Sequence, residues 1–521
     1  MEIYVLINNE TQGPYTQQQI RDQLKTGELQ SVDLAAYAGS ADWKPLSALV
    51  QSRNVTSRTT AEKPDSTGDK SSKKFVTVLV IAVLLLGCAA AGFFRWRNFG
   101  KSEVKISVTT PIELGYPNTL AELNQWYREP PKGQNAAEFF QQGFDAMQIT
   151  DADYSSDDLP LLGKGALPAP GSLFSPKAKA AVTTLVQRNR SAREMYLKAL
   201  TLDQSRYPID LTHGFATLLP HLSKLQATAQ LSELTAILAA ENKQPKDAVD
   251  ALLVSLAAAQ SVRNEPGIVA QHIRVACNGI LKDGLERVLS LTTLSAMDLT
   301  RLSESLGRAE VEASAGTGFS RAYAGERVMG LAILNLPPDK MKETLNEIYG
   351  GRIHEESGDP TGDLALKKLV KNLKPQAAFY EETFNRTILL QKPPFPERLQ
   401  ADEYFQRRVA EARTNDFGLC ALLMEGHDKA KTSRETVGLG LLHLAQTAIA
   451  LERFRAANSH YPGTLAELVP QFLPIVPVDP FNGQAVTYRK NADGYELSSS
   501  GLKAEKPITF TVKLRTAARS P

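Results

Sequence analysis

Cysteine and histidine are scarce in this sequence, and their spacing argues against the common disulfide and metal sites. The three cysteines, Cys88, Cys277 and Cys420, are too few for a disulfide scaffold and are not spaced like zinc ligands. None of the seven histidines stands four residues from another, the spacing that places two ligands on one helix face. The sequence therefore predicts no metal site and no cofactor, and it leaves open whether Cys277 and Cys420 pair.

The chain also lacks an excess of either charge. Its 59 Lys and Arg residues nearly balance 57 Asp and Glu residues, which leaves a formal charge of +2. Proteins that bind nucleic acid usually carry a strong basic field, so we predict no nucleic-acid partner. With 42% hydrophobic and 22% charged residues over 521 positions, the composition excludes wholesale disorder and allows more than one packed core.

One long hydrophobic run stands out at residues 75–94, where twenty residues carry no charge. As a helix rising about 1.5 Å per residue, this run would cross roughly 30 Å of hydrocarbon. The alternative is a buried core helix, but core helices are usually shorter or interrupted by polar positions. We therefore predict one transmembrane helix in contact with lipid, preceded by a disordered linker over residues 51–74.

Basic residues flank both ends of this run, so the charge distribution alone does not orient it. The small N-terminal part and the long C-terminal part differ in mass, and long domains are translocated largely regardless of their charge. This predicts a single-pass protein of the bacterial inner membrane, with a cytoplasmic N-terminus and an extracytoplasmic C-terminal part.

The first fifty residues have the pattern of a small α+β domain. Ile3, Val5 and Ile7 alternate with other residues as in a strand, and a second extended piece is predicted at 34–37. A turn is predicted at 11–15 and a helix at about 17–25.

This segment resembles the bacterial GYF-like domain family over residues 1–48. The residues that carry the resemblance are Tyr4, Gly13, Pro14, Tyr15, Ile20, Leu24, Gly27, Glu28, Leu29 and the run from Ala41 to Leu46. Eukaryotic GYF domains bind proline-rich peptides on an aromatic surface, so the resemblance implies a peptide-binding site. The candidate binding residues are Tyr4, Pro14, Tyr15, Tyr37 and Trp43. The alternative is that these aromatic side chains form the core of the small domain.

Residues 95–435 show mainly helical periodicity and predict a large external domain with an unknown partner. The clearest helices are predicted at 178–202, 218–240, 248–262, 281–294, 364–373 and 379–390. Within the chain an octet recurs: residues 116–123 (YPNTLAEL) and 461–468 (YPGTLAEL) share seven of eight residues. In both copies Thr and Glu stand three apart, which predicts a capping box that begins a short helix.

Residues 436–521 predict a C-terminal α+β module, with a helix followed by strands at 485–489, 495–498 and 508–514. Over residues 440–501 this module resembles the globular part of type II secretion major pseudopilins. The residues that carry the resemblance are 451–458, 460–462, Leu465, 468–470, 473–474, 478–481, Tyr488, 494–497 and 500–501. It implies a reused fold at the end of the chain.

The predicted fold class is therefore multidomain: a small α+β domain, one transmembrane helix, and a mainly helical external domain ending in an α+β pseudopilin-like module. The favoured function is an adaptor or scaffold of the bacterial envelope, and no catalytic residue is predicted. One alternative is an extracytoplasmic hydrolase that uses the 310–360 region, where residues 318–322 (GFSRA) partly match a nucleophile elbow. The other alternative is a component of a secretion-like assembly.

Overall fold

The computed structural model of the chain describes residues 3–7, 10–15, 19, 34–37, 44–45, 115–349, 369–425, 434–501 and 506–514. The chain divides into two compact units, Met1–Lys105 and Ile106–Pro521, and each is described by itself. The predicted linker at 51–74 lies outside the described residues.

The described part of the first unit is a four-stranded antiparallel sheet with the spatial order β2-β1-β3-β4. Its strands are β1 (Ile3–Ile7), β2 (Glu10–Tyr15), β3 (Leu34–Tyr37) and β4 (Lys44–Pro45). The predicted strands at 3–7 and 34–37 are confirmed. The predicted turn at 11–15 is wrong, because these residues belong to strand β2, which pairs with β1. Of the predicted helix at 17–25, only Gln19 lies within the described residues, and it is helical.

The predicted membrane-spanning fold class is corrected by the helices of the structure. Across the described residues, none of the helices combines the length and the apolar character that a bilayer crossing requires. Even the long helix Arg434–Asn458 carries Glu435 and Glu452 and places His443 between them. The run at 75–94, on which the prediction was based, lies outside the described residues.

This finding contradicts the prediction of a single-pass inner-membrane protein with a cytoplasmic N-terminus and an extracytoplasmic C-terminal part. The predicted contact with lipid through residues 75–94 has no support either. The corrected fold is mainly α-helical, with the small N-terminal sheet and a three-stranded sheet near the C-terminus.

The second unit consists mostly of helices. Its α-helices are α1 (Leu120–Trp126), α2 (Ala136–Ala146), α3 (Asp151–Ser155), α4 (Pro176–Arg188), α5 (Arg190–Ala199), α6 (Pro220–Glu241), α7 (Pro245–Gln260), α8 (Ile268–Leu291), α9 (Ala296–Ala315), α10 (Thr317–Leu334), α11 (Pro338–Tyr349), α12 (Leu373–Leu390), α13 (Leu399–Thr414), α14 (Gly418–Glu425) and α15 (Arg434–Asn458). Two 3-10 helices cover Leu211–Ala216 and Leu465–Leu468. The mainly helical character predicted for this region is confirmed. The predicted helices at 218–240, 248–262, 281–294 and 379–390 overlap α6, α7, α8 and α12, whereas the first half of the helix predicted at 364–373 lies outside the described residues.

Helices α6, α7 and α8 pack on one another at the centre of the unit. Helices α6 and α7 both begin with proline, whose fixed φ suits the first helical position and whose missing N–H is not needed there. The short connection between them makes α6 and α7 a helical hairpin. Along α6, 16 of 22 residues are buried, so this helix is surrounded on nearly all sides.

One predicted helix, at 178–202, is two helices that meet at Asn189. The Oδ1 atom of Asn189 accepts the backbone N–H of Gln148 at 2.7 Å, and its Nδ2 atom donates to the carbonyl of Gln148 at 3.1 Å. A partner 41 residues away thus stabilises the break. The local sequence pattern gives no sign of it.

The C-terminal sheet has the order β5-β6-β7, with strands β5 (Thr487–Asn491), β6 (Gly494–Ser499) and β7 (Ile508–Lys513) paired antiparallel. The three predicted strands are confirmed, although the first begins two residues later than predicted. Leu497 of β6 lies opposite Phe510 of β7, and neither side chain is exposed.

These strands share one hydrophobic core with the central helices. Phe510 and Val512 belong to the same buried cluster as Leu285 of α8 and Leu444 of α15. Helix α8 adds polar ties, since the N–H of Thr511 donates to Glu286 at 2.7 Å. The core is therefore continuous across residue 435, where the sequence predicted a domain boundary.

Both copies of the repeated octet begin a helix as predicted. The Oγ1 atom of Thr119 accepts the N–H of Glu122 at 3.2 Å, and α1 follows. Thr464 and Glu467 form the complete capping box at the start of the second 3-10 helix. The capping box of the second copy is confirmed. In the first copy Glu122 accepts the N–H of Asn118 at 2.8 Å and not that of Thr119, so only the Thr119 half of the predicted box forms.

We expect Phe510→Ala to destabilise the helices together with the sheet. The Phe510 side chain is fully buried in the shared core, and removing a buried phenylalanine side chain typically costs about 3–5 kcal/mol. Urea denaturation followed by far-ultraviolet circular dichroism, which reports mainly on the helices, should shift to lower urea. As a control, Val311→Ala removes an exposed side chain of α9 and should change the free energy of unfolding by under about 0.5 kcal/mol. A helical transition unchanged by Phe510→Ala would contradict the shared core.

Candidate functional site

The N-terminal sheet places two of the predicted peptide-binding residues in one row. Ile3 of β1 pairs with Tyr15 of β2 on one side and with Tyr37 of β3 on the other. Since neighbouring strands lie about 4.8 Å apart, the Cα atoms of Tyr15 and Tyr37 are separated by roughly 10 Å across the sheet. The Tyr15 side chain is half-buried. The sheet thus brings Tyr15 and Tyr37 to the same register position.

The other predicted residues occupy different positions. Tyr4 pairs with Ala36, one residue along from the row, and strand residues alternate between faces, so the register assigns Tyr4 to the opposite face. Pro14 precedes Tyr15 on β2 and lies in the irregular stretch between the Ile3–Tyr15 and Val5–Gln12 pairs, where proline is tolerated in a sheet. Trp43 lies outside the described residues. Whether these residues form a peptide site stays a prediction.

In the second unit, a buried arginine joins three segments. Arg398 is 2% exposed and donates hydrogen bonds to the carbonyls of Pro393 at 2.9 Å and Ser314 at 2.7 Å. It also forms a salt bridge of 2.9 Å with Glu435 of α15. The Ser314 carbonyl belongs to the last turn of α9, where backbone carbonyls lack helical partners. Arg398 therefore caps α9 and ties it to α15.

The carboxyl groups around Arg398 hold their protons unusually strongly. Burial raises the pKa of Glu435 to about 7, although Arg398 and Arg274 oppose the shift. Burial and the nearby Glu435 also raise the pKa of Asp402. The cavity between Arg274 and Glu435 measures only about 10 Å³, which is at the lower limit for one water molecule. This cluster is an internal tie between helices, and it has no room for a substrate.

The predicted nucleophile elbow at 318–322 is not formed. These residues lie in the first turns of α10, with Ser320 buried, whereas an elbow requires a sharp strand-to-helix turn that exposes its serine. The glycine before this helix, Gly316, adopts a left-handed conformation with φ of 67° and ends α9. The glycine-rich sequence therefore separates two helices. His354, in the same predicted region, lies outside the described residues.

Two histidines of the second unit are held in buried hydrogen-bond networks. The Nε2 atom of His221 lies 2.9 Å from Oε2 of Glu265, and both side chains are 1% exposed. The ring of Tyr207 stacks on His221 with a centroid distance of 4.3 Å. The hydroxyl of Tyr127 donates to the same Glu265 oxygen at 3.4 Å. This network joins the start of α6 to the loop that follows α7.

His443 of α15 contacts the segment that leads to the C-terminal sheet. Its Nδ1 atom lies 2.7 Å from the carbonyl oxygen of Val478, and its Nε2 atom lies 3.3 Å from Glu310. Burial lowers the pKa of His443 and raises the pKa of Glu310 to about 7. Within the described residues, no group of three or more His, Cys, Asp or Glu side chains could hold a metal ion.

Cys277 and Cys420 do not pair. Both are buried and free, and burial raises the pKa of each thiol to about 12. The question that the sequence left open is therefore answered, and the high pKa argues against either thiol as a nucleophile.

Comparison with known families identifies the N-terminal segment. Residues 4–51 match the family model of GYF domain 2. This match supports the GYF-like resemblance and indicates a role in protein interaction, with proline-rich peptides or proteins as partners. No curated protein and no solved structure matches the chain. The pseudopilin resemblance of residues 440–501 gains no support from these comparisons.

Glu233 of α6 is a further buried carboxylate, and sequence reasoning missed it. Neither of its oxygens has a hydrogen-bond partner among the described residues, and the nearest cation, Arg287, is 3.9 Å away. Burial, followed by the nearby Asp283, raises the pKa of Glu233 from 4.5 to about 8. The folded protein therefore binds this proton more tightly than the unfolded chain does.

We expect the stability gain from Glu233→Gln to grow with pH. The stabilisation due to the Glu233 proton is complete below the unfolded pKa of 4.5 and is lost as the pH rises through about 8. The glutamine variant has no such loss, so its advantage over the wild type should reach roughly 2–4 kcal/mol at pH 9 and be small at pH 4. Denaturant unfolding across this pH range measures the difference.

The control variant is Glu138→Gln, which changes an exposed carboxylate of α2. Its difference from the wild type should stay small and show no such rise. A Glu233→Gln effect that is the same at pH 4 and pH 9 would contradict the raised pKa.

Proposed function

We propose that the protein is a protein-interaction adaptor whose N-terminal GYF-like domain binds a proline-rich peptide or protein. The observation that carries this proposal is the match of residues 4–51 to GYF domain 2. The row formed by Tyr15, Ile3 and Tyr37 supports it, because it puts two aromatic residues at one register position of the sheet.

The chemistry of proline-rich segments suits such a surface. A polyproline II helix is already extended in solution, so it loses little conformational entropy when it binds. Aromatic side chains offer flat apolar surfaces against proline rings, and a tyrosine hydroxyl or tryptophan N–H can bind the exposed peptide carbonyls. We assign these roles to Tyr15, Tyr37 and Trp43, with Tyr4 and Pro14 as the remaining candidates.

In this proposal the helical unit is the body to which the captured partner is brought. Its continuous core and its buried ties between α9, α13 and α15 favour a body that keeps its shape when the partner binds.

We expect Tyr15→Ala and Trp43→Ala to weaken binding of a fluorescein-labelled oligoproline peptide at least about tenfold. Each substitution removes an aromatic side chain that contacts the peptide in this proposal, and such side chains supply much of the binding energy of interfaces. Fluorescence anisotropy with the full-length chain measures the affinity. Tyr154→Ala is the matched control, because Tyr154 is an exposed tyrosine of the second unit and its loss should leave the affinity unchanged.

A second variant separates peptide binding from a core role. Tyr15→Leu keeps most of the apolar volume but removes the aromatic ring, so we expect it to remain folded and to bind the oligoproline weakly. Wild-type affinity in Tyr15→Leu and in Trp43→Ala would show that these aromatic groups belong to the core. A wild-type chain that binds no proline-rich peptide would overturn the proposal itself.

A further inference from the structure

A cleft of about 430 Å³ lies between α2, α7 and α9 of the second unit. Its volume falls within the range of small-molecule sites in proteins. The proposed function does not involve it, and no sequence motif indicated it. The three helices come from separate parts of the chain and are brought together only by folding.

The apolar part of the cleft is made by residues that also belong to the cores. Phe140 of α2, Leu256 of α7 and Ala309 of α9 line it and are at most 4% exposed. Their positions are fixed by packing, so they offer a preformed surface for one apolar side chain of a ligand.

The polar part of the cleft contains an amide group without a partner. Gln260 is the last residue of α7, and neither its Nε2 nor its Oε1 atom has a hydrogen-bond partner among the described residues, although both are buried. The Oγ atom of Ser205, which also lines the cleft, is likewise buried and has no hydrogen-bond partner among the described residues. Unpaired buried polar atoms are costly, and a ligand amide could satisfy a donor and an acceptor of Gln260 together.

Two of the three arginines that line the cleft are already neutralised. Arg301 forms a salt bridge of 2.7 Å with Asp250, and Arg263 forms one of 3.1 Å with Glu312. These arginines help to shape the wall, but their charges are satisfied by the protein.

Arg308 differs from them. Its guanidinium donates to Ser305 Oγ at 3.3 Å, and it forms no ion pair within 4 Å with any described residue. It lies on the same face of α9 as Arg301 and Ser305, at helical spacing, and lines the cleft with them. Asp203 and Glu304 also line the cleft, and their negative charges disfavour a doubly charged ligand such as a phosphate monoester.

We propose that this cleft binds a short peptide with an apolar C-terminal residue. The terminal carboxylate pairs with Arg308, the last peptide group bonds to the amide of Gln260, and the apolar side chain lies against Phe140 and Leu256. A free ammonium group is compatible with Asp203 and Glu304. A monocarboxylate that carries an amide and an apolar group matches every feature of the cleft.

Isothermal titration calorimetry with the full-length protein tests this. We expect leucyl-leucine to bind with a dissociation constant on the order of 0.1 mM, and leucyl-leucinamide, which lacks the carboxylate, to bind about tenfold more weakly. A longer peptide, trialanyl-leucine, distinguishes the two candidate ligands, the C-terminus of a protein chain and a free dipeptide. Retained binding of the longer peptide indicates the end of a protein chain, and its loss indicates a free dipeptide.

Arg308→Gln and Gln260→Leu assign the contacts. Arg308→Gln should weaken leucyl-leucine about tenfold and leave leucyl-leucinamide unchanged, because only the acid uses the charge. Gln260→Leu should weaken both ligands. The control Arg413→Gln removes an exposed arginine of α13 outside the cleft and should bind both ligands as the wild type does.

The proposal is overturned if the wild type binds neither ligand up to about 5 mM. It is also overturned if Arg308→Gln weakens the acid and the amide equally, since the carboxylate then does not contact this guanidinium. Each variant should unfold at the same temperature as the wild type in a thermal melt, which shows that a loss of binding is not a loss of fold. This test does not involve oligoproline, so its failure leaves the proposed adaptor function unaffected.

Discussion

The burial of helix α6 on nearly all sides is the constraint on which the second unit depends. A helix without a solvent face must be covered by several neighbours, and α7, α8 and α4 supply that cover. Close approach requires small residues at the contacts: an added Cβ at Gly284 of α8 would lie 3.1 Å from the side chain of Glu233. Helix α8 in turn carries the C-terminal sheet on its other side, through Glu286 and Ser290. The helices and the sheet therefore form one packed body.

Because the interior is buried so completely, the polar groups inside it contribute to holding distant segments together. Arg398, the pair of His221 and Glu265, and Asp479 each join segments that are distant in sequence. Asp479 accepts hydrogen bonds from the N–H of Phe481 and from the hydroxyls of Ser499 and Ser500, so one buried carboxylate links the segment before β5 to the end of β6. Charged groups held in this way act as ties between elements, and burial within such a tie raises the pKa of Glu435.

Local patterns in the sequence predicted local structure well. The alternation of Ile508, Phe510 and Val512 predicted β7, and the spacing of Thr464 and Glu467 predicted a capping box. These features depend on residues within a few positions of one another. The break at Asn189 and the capping of α9 by Arg398 depend on partners 41 and 84 residues away, and a periodicity does not contain that information.

The candidate sites differ in the same way in how far they depend on contacts between distant residues. Tyr15 and Tyr37 were selected by resemblance, and the register places them in one row, whereas it assigns Tyr4 to the other face. The cleft near Gln260 was missed because its walls come from three helices whose packing only the structure shows. The membrane prediction rested on one apolar run without any tertiary information, and the helices of the described residues contradict the fold class built on it.

We propose that the N-terminal sheet is the part of this protein that recognises a proline-rich partner. Hydrogen–deuterium exchange of the full-length chain, with and without a saturating oligoproline peptide, tests it most directly. We expect slower exchange confined to residues 3–15 and 34–45. Protection that appears only within residues 115–514, or no protection at peptide saturation, would contradict it.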